Sequence, residues 1–441
     1  MKRANYIPRK IDKELLLWQT DPDRKVLLIR GARQVGKTSA IEHFSSQFKH
    51  FVRLDLVVQS DIRTLFEQAT DIPTLCQTLA LVTGTPIDPG NTLLFIDEIQ
   101  ACPDAIVKLR YFYEQMPDLH VIAAGSLLEF ALQDISSFGV GRIRSLFMYP
   151  FSFEEYLTAL NQTALWEATL QANPVSPLPE LVHEKLLTHF RTFQIIGGMP
   201  EVVRSYAEHK DLLRCQQLLD DIIVSYKDDF SKYAEKISPS LLQQALLSIA
   251  RQGTGKFVYS KVDKDKRNEV IKQAIRALIL AGLVYQVPHT HANRLPLGAE
   301  VNEKYFKLIL LDTGITQRML DLDYTELLLS TDFKSINRGV LAEVFVGTEL
   351  IKAQSPYKPA TLYYWQRETR GSQAEIDYIS HYQGEVLPIE VKSGTQGSMQ
   401  SLRLFMEMKK LSLGIRTSME NYGAYEAIKV YPIYAIATIK K

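Results

Sequence analysis

The chain has 441 residues, with 51 Lys and Arg against 50 Asp and Glu, a formal net charge of +1. That length supports two or three domains with their own cores, and near-neutrality excludes whole-molecule attraction to nucleic acid, so any such binding has to be local. The three cysteines, Cys76, Cys102 and Cys215, lack metal-ligand spacing and read as reduced thiols of a cytoplasmic protein; no H-x-x-x-H pair points to a zinc hydrolase, and no apolar run reaches membrane-span length.

Ile11 to Trp18 has the spacing of a short amphipathic helix, stopped by Asp21-Pro22. Val26-Leu27-Leu28-Ile29-Arg30 then reads as a buried parallel strand. It runs into Gly31-Ala32-Arg33-Gln34-Val35-Gly36-Lys37-Thr38, which fits G-x-x-x-x-G-K-[ST] without a mismatch. Gly31 and Gly36 let the backbone fold closely around phosphate oxygens. Backbone N–H groups at the start of the following helix present positive potential to the β- and γ-phosphates. Lys37 adds a point charge there and the Thr38 hydroxyl is a Mg²⁺ ligand. Gly31 to Thr38, with Ser39 beside them, form the expected ATP-binding set.

Phe51 to Leu56 reads as a second strand, and helices follow over 61–69 and 73–82. Leu93-Leu94-Phe95-Ile96 ending in Asp97-Glu98 has the form of a Walker B strand: Asp97 orients the Mg²⁺ shell and Glu98 polarises the attacking water. Leu119 to Ala124 is another buried strand, ending in Gly125-Ser126, with Ser126 a candidate γ-phosphate contact or a simple strand-end turn. Gly141-Arg142-Ile143-Arg144 and Pro150-Phe151-Ser152-Phe153-Glu154-Glu155 follow, Ser152 and Glu155 making a capping box.

The motifs G-A-R-Q-V-G-K-T, F-I-D-E-I-Q, A-G-S, G-R-I-R and P-F-S-F-E-E-Y, with Gly197-Gly198-Met199-Pro200, resemble those of the archaeal-type ATPases of the AAA+ superfamily. The resemblance implies a sheet whose Ser126 strand lies between the P-loop and Walker B strands. It also implies that Arg142 or Arg144 completes the nucleotide site; a surface salt bridge is the other reading of both arginines.

From about 206 to 320, a helix over 241–249, a short apolar piece at Phe257-Val258-Tyr259, an amphipathic helix over 269–280 and strands near 283–287 and 305–311 follow the order of a winged helix. Between Arg251 and Arg276 stand eight basic residues against Asp263, Asp265 and Glu269, a local balance of +5 and a candidate DNA footprint.

In the last segment, about 321 to 441, a helix over 339–351 carries Glu343. Strands over 362–367 and 374–379 are expected to join through Gly371-Ser372. A third, Val386 to Ser393, holds Glu390 and Lys392 on one face. Asp on one strand with Glu-x-Lys on the next resembles the PD-(D/E)XK nuclease fold. That resemblance implies Mg²⁺ held by Glu343, Asp377 and Glu390, with Lys392 stabilising charge at the scissile phosphate. The other reading keeps the fold as a binding module with its acids paired to lysines. Pro388 departs from the pattern, because proline belongs at a strand edge or start.

The expected architecture is α/β: a P-loop parallel-sheet ATPase domain (1–205), a helical and winged-helix domain (206–320), and a small α/β nuclease-like domain (321–441). The expected cofactors are ATP and Mg²⁺. The expected partners are DNA and either a second copy or a partner protein, with no membrane. A nucleotide-gated interaction switch is the competing functional reading.

Overall fold

A computed structural model describes residues 6–134, 141–233, 237–322, 335–368 and 374–439. The expected turn at Gly371-Ser372 lies outside them. The chain divides into two compact units. The first takes in residues up to Pro150 and the short pieces Leu280–Gly282 and Ser355–Pro359; the second takes in the remainder from Phe151 onward.

The first unit is an α/β P-loop fold. Its strands are β1 (Val26–Arg30), β2 (His50–Asp55), β3 (Thr92–Asp97), β4 (His120–Ala124) and β5 (Ile143–Phe147), in the order β2-β3-β4-β1-β5. Every neighbouring pair is parallel. Parallel strands need crossovers, and helices such as Ile72–Thr83 and Pro103–Gln115 supply them, covering the sheet. β3 and β4 are therefore buried along their whole length, as their continuous apolar runs require. The helix Ile72–Thr83 begins at Asp71, whose carboxylate accepts the Thr74 N–H at 2.8 Å, and ends at Gly84 with φ +67°. β4 lies between β1 and β3, so Ser126 follows the strand next to the P-loop strand. All these strands point the same way, so the residues following β1, β3 and β4 emerge at one edge of the sheet.

The second unit carries a mixed eight-stranded sheet flanked by helices. Its strands are β6 (Val284–Thr290), β7 (Val301–Leu310), β8 (Tyr363–Gln366), β9 (Glu375–Tyr382), β10 (Glu385–Val391), β11 (Gly414–Ser418), β12 (Gly423–Tyr425) and β13 (Ile428–Pro432). Their order is β12-β13-β11-β10-β9-β8-β6-β7. Residues 256 and 257 bond to β7, Phe257 N–H donating to the Phe306 carbonyl at 2.9 Å. The helices Pro239–Gln252 and Asn268–Leu280 precede the β6–β7 hairpin in the expected order. The hairpin does not stand apart from the C-terminal strands. His289 of β6 pairs in parallel with Tyr364 of β8 and joins the two parts into one sheet. β9 and β10 form a hairpin through Gln383-Gly384, both at positive φ, the conformation a two-residue turn needs. Pro388 is accommodated because β10 is flanked there by β9 alone; pairing with β11 begins at Ile389.

Gly198 and Asp312 of the second unit belong to a buried polar cluster. Asp312 accepts from Gly198 N–H at 2.6 Å and Ile315 N–H at 3.1 Å. Gly198 packs so closely on Phe151 that an added Cβ would lie 2.2 Å from its carbonyl oxygen. Lys352 donates to that same carbonyl at 3.0 Å and pairs with Glu349. The Ser152–Glu155 capping box forms as the sequence requires.

Candidate functional site

The P-loop connects β1 to the helix Lys37–Phe44. Gly31 has φ +145°, and a Cβ there would fall 2.1 Å from the Met148 carbonyl oxygen, so no other residue fits. Gly36, at φ +92°, caps the helix in the left-handed region. Ala32 and Val35 are buried, Arg33 is half-buried, and Gln34 and Ser39 are exposed. Lys37 is buried and folds back over the loop, donating to the carbonyls of Gly31 and Ala32 at 2.8 Å each. Burial pushes its pKa down to about 8, against the pull of Glu98 and Asp97.

Thr38 and Asp97 meet at the same edge, Oγ1 lying 3.2 Å from Oδ2. Asp97 is buried, which raises its pKa, and Arg53 of β2 offsets this with an ion pair of 2.8 Å. A hydroxyl and a carboxylate brought together beside a phosphate-binding loop fit a hard, oxygen-ligated cation such as Mg²⁺. Glu98 follows at φ +50°, its Oε2 accepting from Ser126 Oγ at 3.1 Å and from Gln100 Nε2 at 2.5 Å. The glutamate expected to polarise water is thus in direct contact with Ser126, the candidate γ-phosphate contact or strand-end turn.

Arg53 and Arg9 are not singled out by any sequence motif. Arg9 is buried and ties the loop down, its guanidinium donating to the Val35 carbonyl at 3.0 Å and the Tyr149 carbonyl at 2.8 Å. The only advance signal for Arg53 is a charge inside an otherwise apolar strand.

Arg142 and Arg144 are not brought to this edge. Val26 pairs with Ile143 and Leu27 with Arg144, at the start of β1, whereas the P-loop leaves its end. Arg142 pairs with Glu114 at 3.1 Å and Arg144 with Asp21 at 2.8 Å. Within one chain the geometry matches the salt-bridge reading.

The nuclease-like acids gather in the second unit. Asp377 of β9 and Glu390 of β10 lie opposite one another, one step beyond the Ile389–Tyr378 pair, and Asp377 Oδ2 accepts from Val391 N–H at 2.7 Å. Glu343, on the helix Ser335–Lys352, faces the same group. The cation among them is Lys307 of β7. It is 1 % exposed, 3.8 Å from Glu343 Oε2 and 3.9 Å from Asp377 Oδ1, and paired directly with Glu375. Burial alone would lower the Lys307 pKa, but Glu343, Glu375 and Asp377 together hold it above its ordinary value. Burial, then the charge of Asp377, raises both Glu343 and Glu390. Lys392 does not stand free for a phosphate: its Nζ lies 2.6 Å from Glu390 Oε1. Sequence reasoning does not reach Lys307 or Glu375, because Lys307 belongs to the hairpin expected in another domain.

All eight cations between Arg251 and Arg276 are exposed, on the segment leading into and along the helix Asn268–Leu280. Lys256 lies over the Tyr305 ring at 3.7 Å.

Residues 23–157 match the family model of an AAA domain. They contain β1 to β5, the P-loop and the Asp97-Glu98 strand end, so the match covers the P-loop fold of the first unit. Residues 187–326 and 338–436 match models described as domains of unknown function, DUF8612 and DUF4143. No curated protein matches the chain. Among solved structures, the chain is similar to the Walker-type ATPase PABY2304 of Pyrococcus abyssi, at 13% identity and a TM-score of 0.46, over 72% of this chain and 97% of that one. The Aeropyrum pernix ORC1 protein, solved in complex with DNA, is similar at 11% identity and a TM-score of 0.31, over 74% and 95%. Drosophila ORC, solved bound to DNA, is similar at 11% identity and a TM-score of 0.27, over 73% and 95%. Among the described residues no helix is long and apolar enough to cross a membrane.

Proposed function

We propose that this protein binds and hydrolyses ATP at the Gly31–Thr38 loop and uses the nucleotide state to control its hold on DNA. The observation that carries the ATPase reading is the convergence of Thr38, Asp97 and Glu98 at the edge where Lys37 sits. Glu98 is the general base, and its release from Ser126 places its carboxylate for water. Mg²⁺, when bound, supplies charge neutralisation at the phosphates, with Thr38 and Asp97 as its protein contacts. DNA is held by the exposed basic residues 251–276, and a winged helix is the module to which we assign that segment. Arg142 and Arg144, on the other edge of the sheet, serve the nucleotide of a second copy if they act in catalysis. Three buried unpaired cysteines suit a reducing compartment, the cytoplasm.

The nuclease-like segment, in this reading, is a binding module whose acids are neutralised by Lys307 and Lys392. One observation favours the cleaving alternative: Glu390 Oε2 is buried with no hydrogen-bond partner among the described residues, as a metal ligand would be. The two readings separate in one assay on the full chain. Duplex, single-stranded and branched DNA are incubated with Mg²⁺, with and without ATP. ATP turnover and DNA retention without cleavage are expected. Cleavage abolished by Asp377→Asn and Glu390→Gln would install the nuclease instead. Turnover without any DNA retention would leave a nucleotide-gated protein switch.

A further inference from the structure

A second polar cluster in the C-terminal sheet belongs to neither site. His289, on β6, is 1 % exposed, and its Nε2 lies 3.0 Å from the Gln366 carbonyl oxygen of β8. A carbonyl only accepts, so Nε2 carries the proton and Nδ1 is left with its lone pair. That Nδ1 is buried and has no hydrogen-bond partner among the described residues. It points toward Glu368, 3.9 Å from Oε1. His291 stands two residues on, its ring edge-on to His289 at 5.3 Å. One ligand atom from each of His289, His291 and Glu368 can be chosen so that all lie within 4.8 Å of one another.

An unpaired imidazole lone pair facing a carboxylate calls for a cation between them. A proton on Nδ1 is the ordinary choice. A metal ion suits the donors better. A metal-bound histidine usually donates its other ring N–H to a carbonyl, as His289 does to Gln366, and a ligating carboxylate is itself held, as Glu368 is by Asn302 Nδ2 at 2.9 Å. Zinc–ligand bonds of about 2.1 Å place two donors roughly 3.4 Å apart at the tetrahedral angle, so donors now within 4.8 Å of one another close the site by approaching at most about 1.4 Å.

We propose that His289, His291 and Glu368 bind a divalent transition metal of the zinc class, with its fourth position open to the adjoining cavity. That cavity has a volume of about 420 Å³ and is lined by His291 and Glu368 together with Trp365, Arg367 and Lys409. Three protein ligands with one free position is the arrangement of a ligand-binding zinc rather than a closed structural one. Imidazole and carboxylate donors select zinc or cobalt over magnesium. Arg367 and Lys409 give the cavity two cations, so the class of ligand that fits the fourth position is a small oxyanion, with phosphate as the probe. The metal would also pin β6 to β8, at the one pairing that joins the hairpin to the rest of the sheet.

The test uses the full chain, stripped with a chelator and free of nucleotide, titrated with Co²⁺. One equivalent should produce an intense visible absorption band, displaced by Zn²⁺. His291 and Glu368 are exposed enough to change without unfolding the sheet. His291→Ala and Glu368→Gln should each weaken Co²⁺ by about 100-fold or more, while Thr38→Ala keeps the band. Inorganic phosphate should shift the band, and the paired change Arg367→Ala with Lys409→Ala should remove that shift. A missing band, or unchanged affinity in both ligand variants, overturns the metal site. A band that phosphate leaves unmoved overturns the oxyanion assignment.

Discussion

The Nζ of Lys307 lies 3.9 Å from Oδ1 of Asp377, so a lysine from one hairpin sits inside the carboxylates of another. Glu343 and Glu375 complete the cluster. Removing one partner of a buried ion pair costs about 3–5 kcal/mol, because the remaining charge is left without compensation. Lys307→Met should therefore lower the melting temperature sharply. The bared carboxylates should then take up Mg²⁺, which ignores imidazole ligands, and recover part of the loss. Thermal denaturation with and without Mg²⁺, in the absence of nucleotide, checks both. A melting temperature equal to that of the native sequence would show that Lys307 does not balance this cluster.

The acids of the cluster also give stability a pH dependence. Burial raises Glu390 from 4.5 to about 7, and raises Glu343 and Asp377 as well. A carboxyl with a raised folded pKa binds its proton more tightly folded than unfolded. Its stabilising contribution is complete below the unfolded value and is lost as pH rises through the folded one. Stability should fall between about pH 4.5 and 8 on this account, Glu390 losing its proton near 7 and Glu343 near 8. Glu390→Gln, which keeps the shape and removes the titration, should flatten the slope of melting temperature against pH. An unaltered slope would remove Glu390 from the cause.

Lys37 titrates in the opposite sense. Burial holds it down to about 8 in the free protein, and phosphate charge should raise it on ATP binding. Binding then draws in a proton, about 0.5 per site at pH 8, and ATP affinity falls as pH rises above that. Calorimetry in buffers of different ionisation enthalpy measures the uptake. Zero uptake near pH 8 would place the lysine's pKa well away from that range.

Glu98→Gln should retain ATP binding and lower turnover by about 10²–10⁴-fold, since it deletes the base and keeps the hydrogen bonds of Ser126 and Gln100. Lys37→Ala should abolish turnover. If Glu98→Gln hydrolyses ATP at the native rate, the base lies elsewhere.

Replacing Lys264, Lys266 and Arg267 together should weaken DNA binding equally across sequences. The slope of log affinity against log salt should flatten by about three units at most, one for each lost phosphate contact. Titration of labelled duplex at several salt concentrations measures it. An unchanged slope would move the footprint off this face.

What the sequence by itself determined is the part of the molecule built from contiguous residues. Gly31 to Thr38 specify a strand, a tight turn and a helix within one stretch, because their backbone conformations leave little choice. Asp97 and Ser126 join them without long-range information, since parallel buried strands bring their carboxyl ends to one edge. The placement of Arg142 and Arg144 was not read from the sequence, where the resemblance put one of them at the nucleotide: the parallel pairing of β5 with β1 sets both at the start of that strand. The identity of the cation among Glu343, Asp377 and Glu375 could not be read locally. β6 and β7 carry the alternation of any hairpin, and nothing in that alternation says that β6 will pair with β8. Only that pairing sets Lys307 among the acids and His289 against Glu368. Charges and lone pairs buried together are partnered by whatever the packed sheet brings within a few ångströms, and tertiary structure alone decides which residues those are.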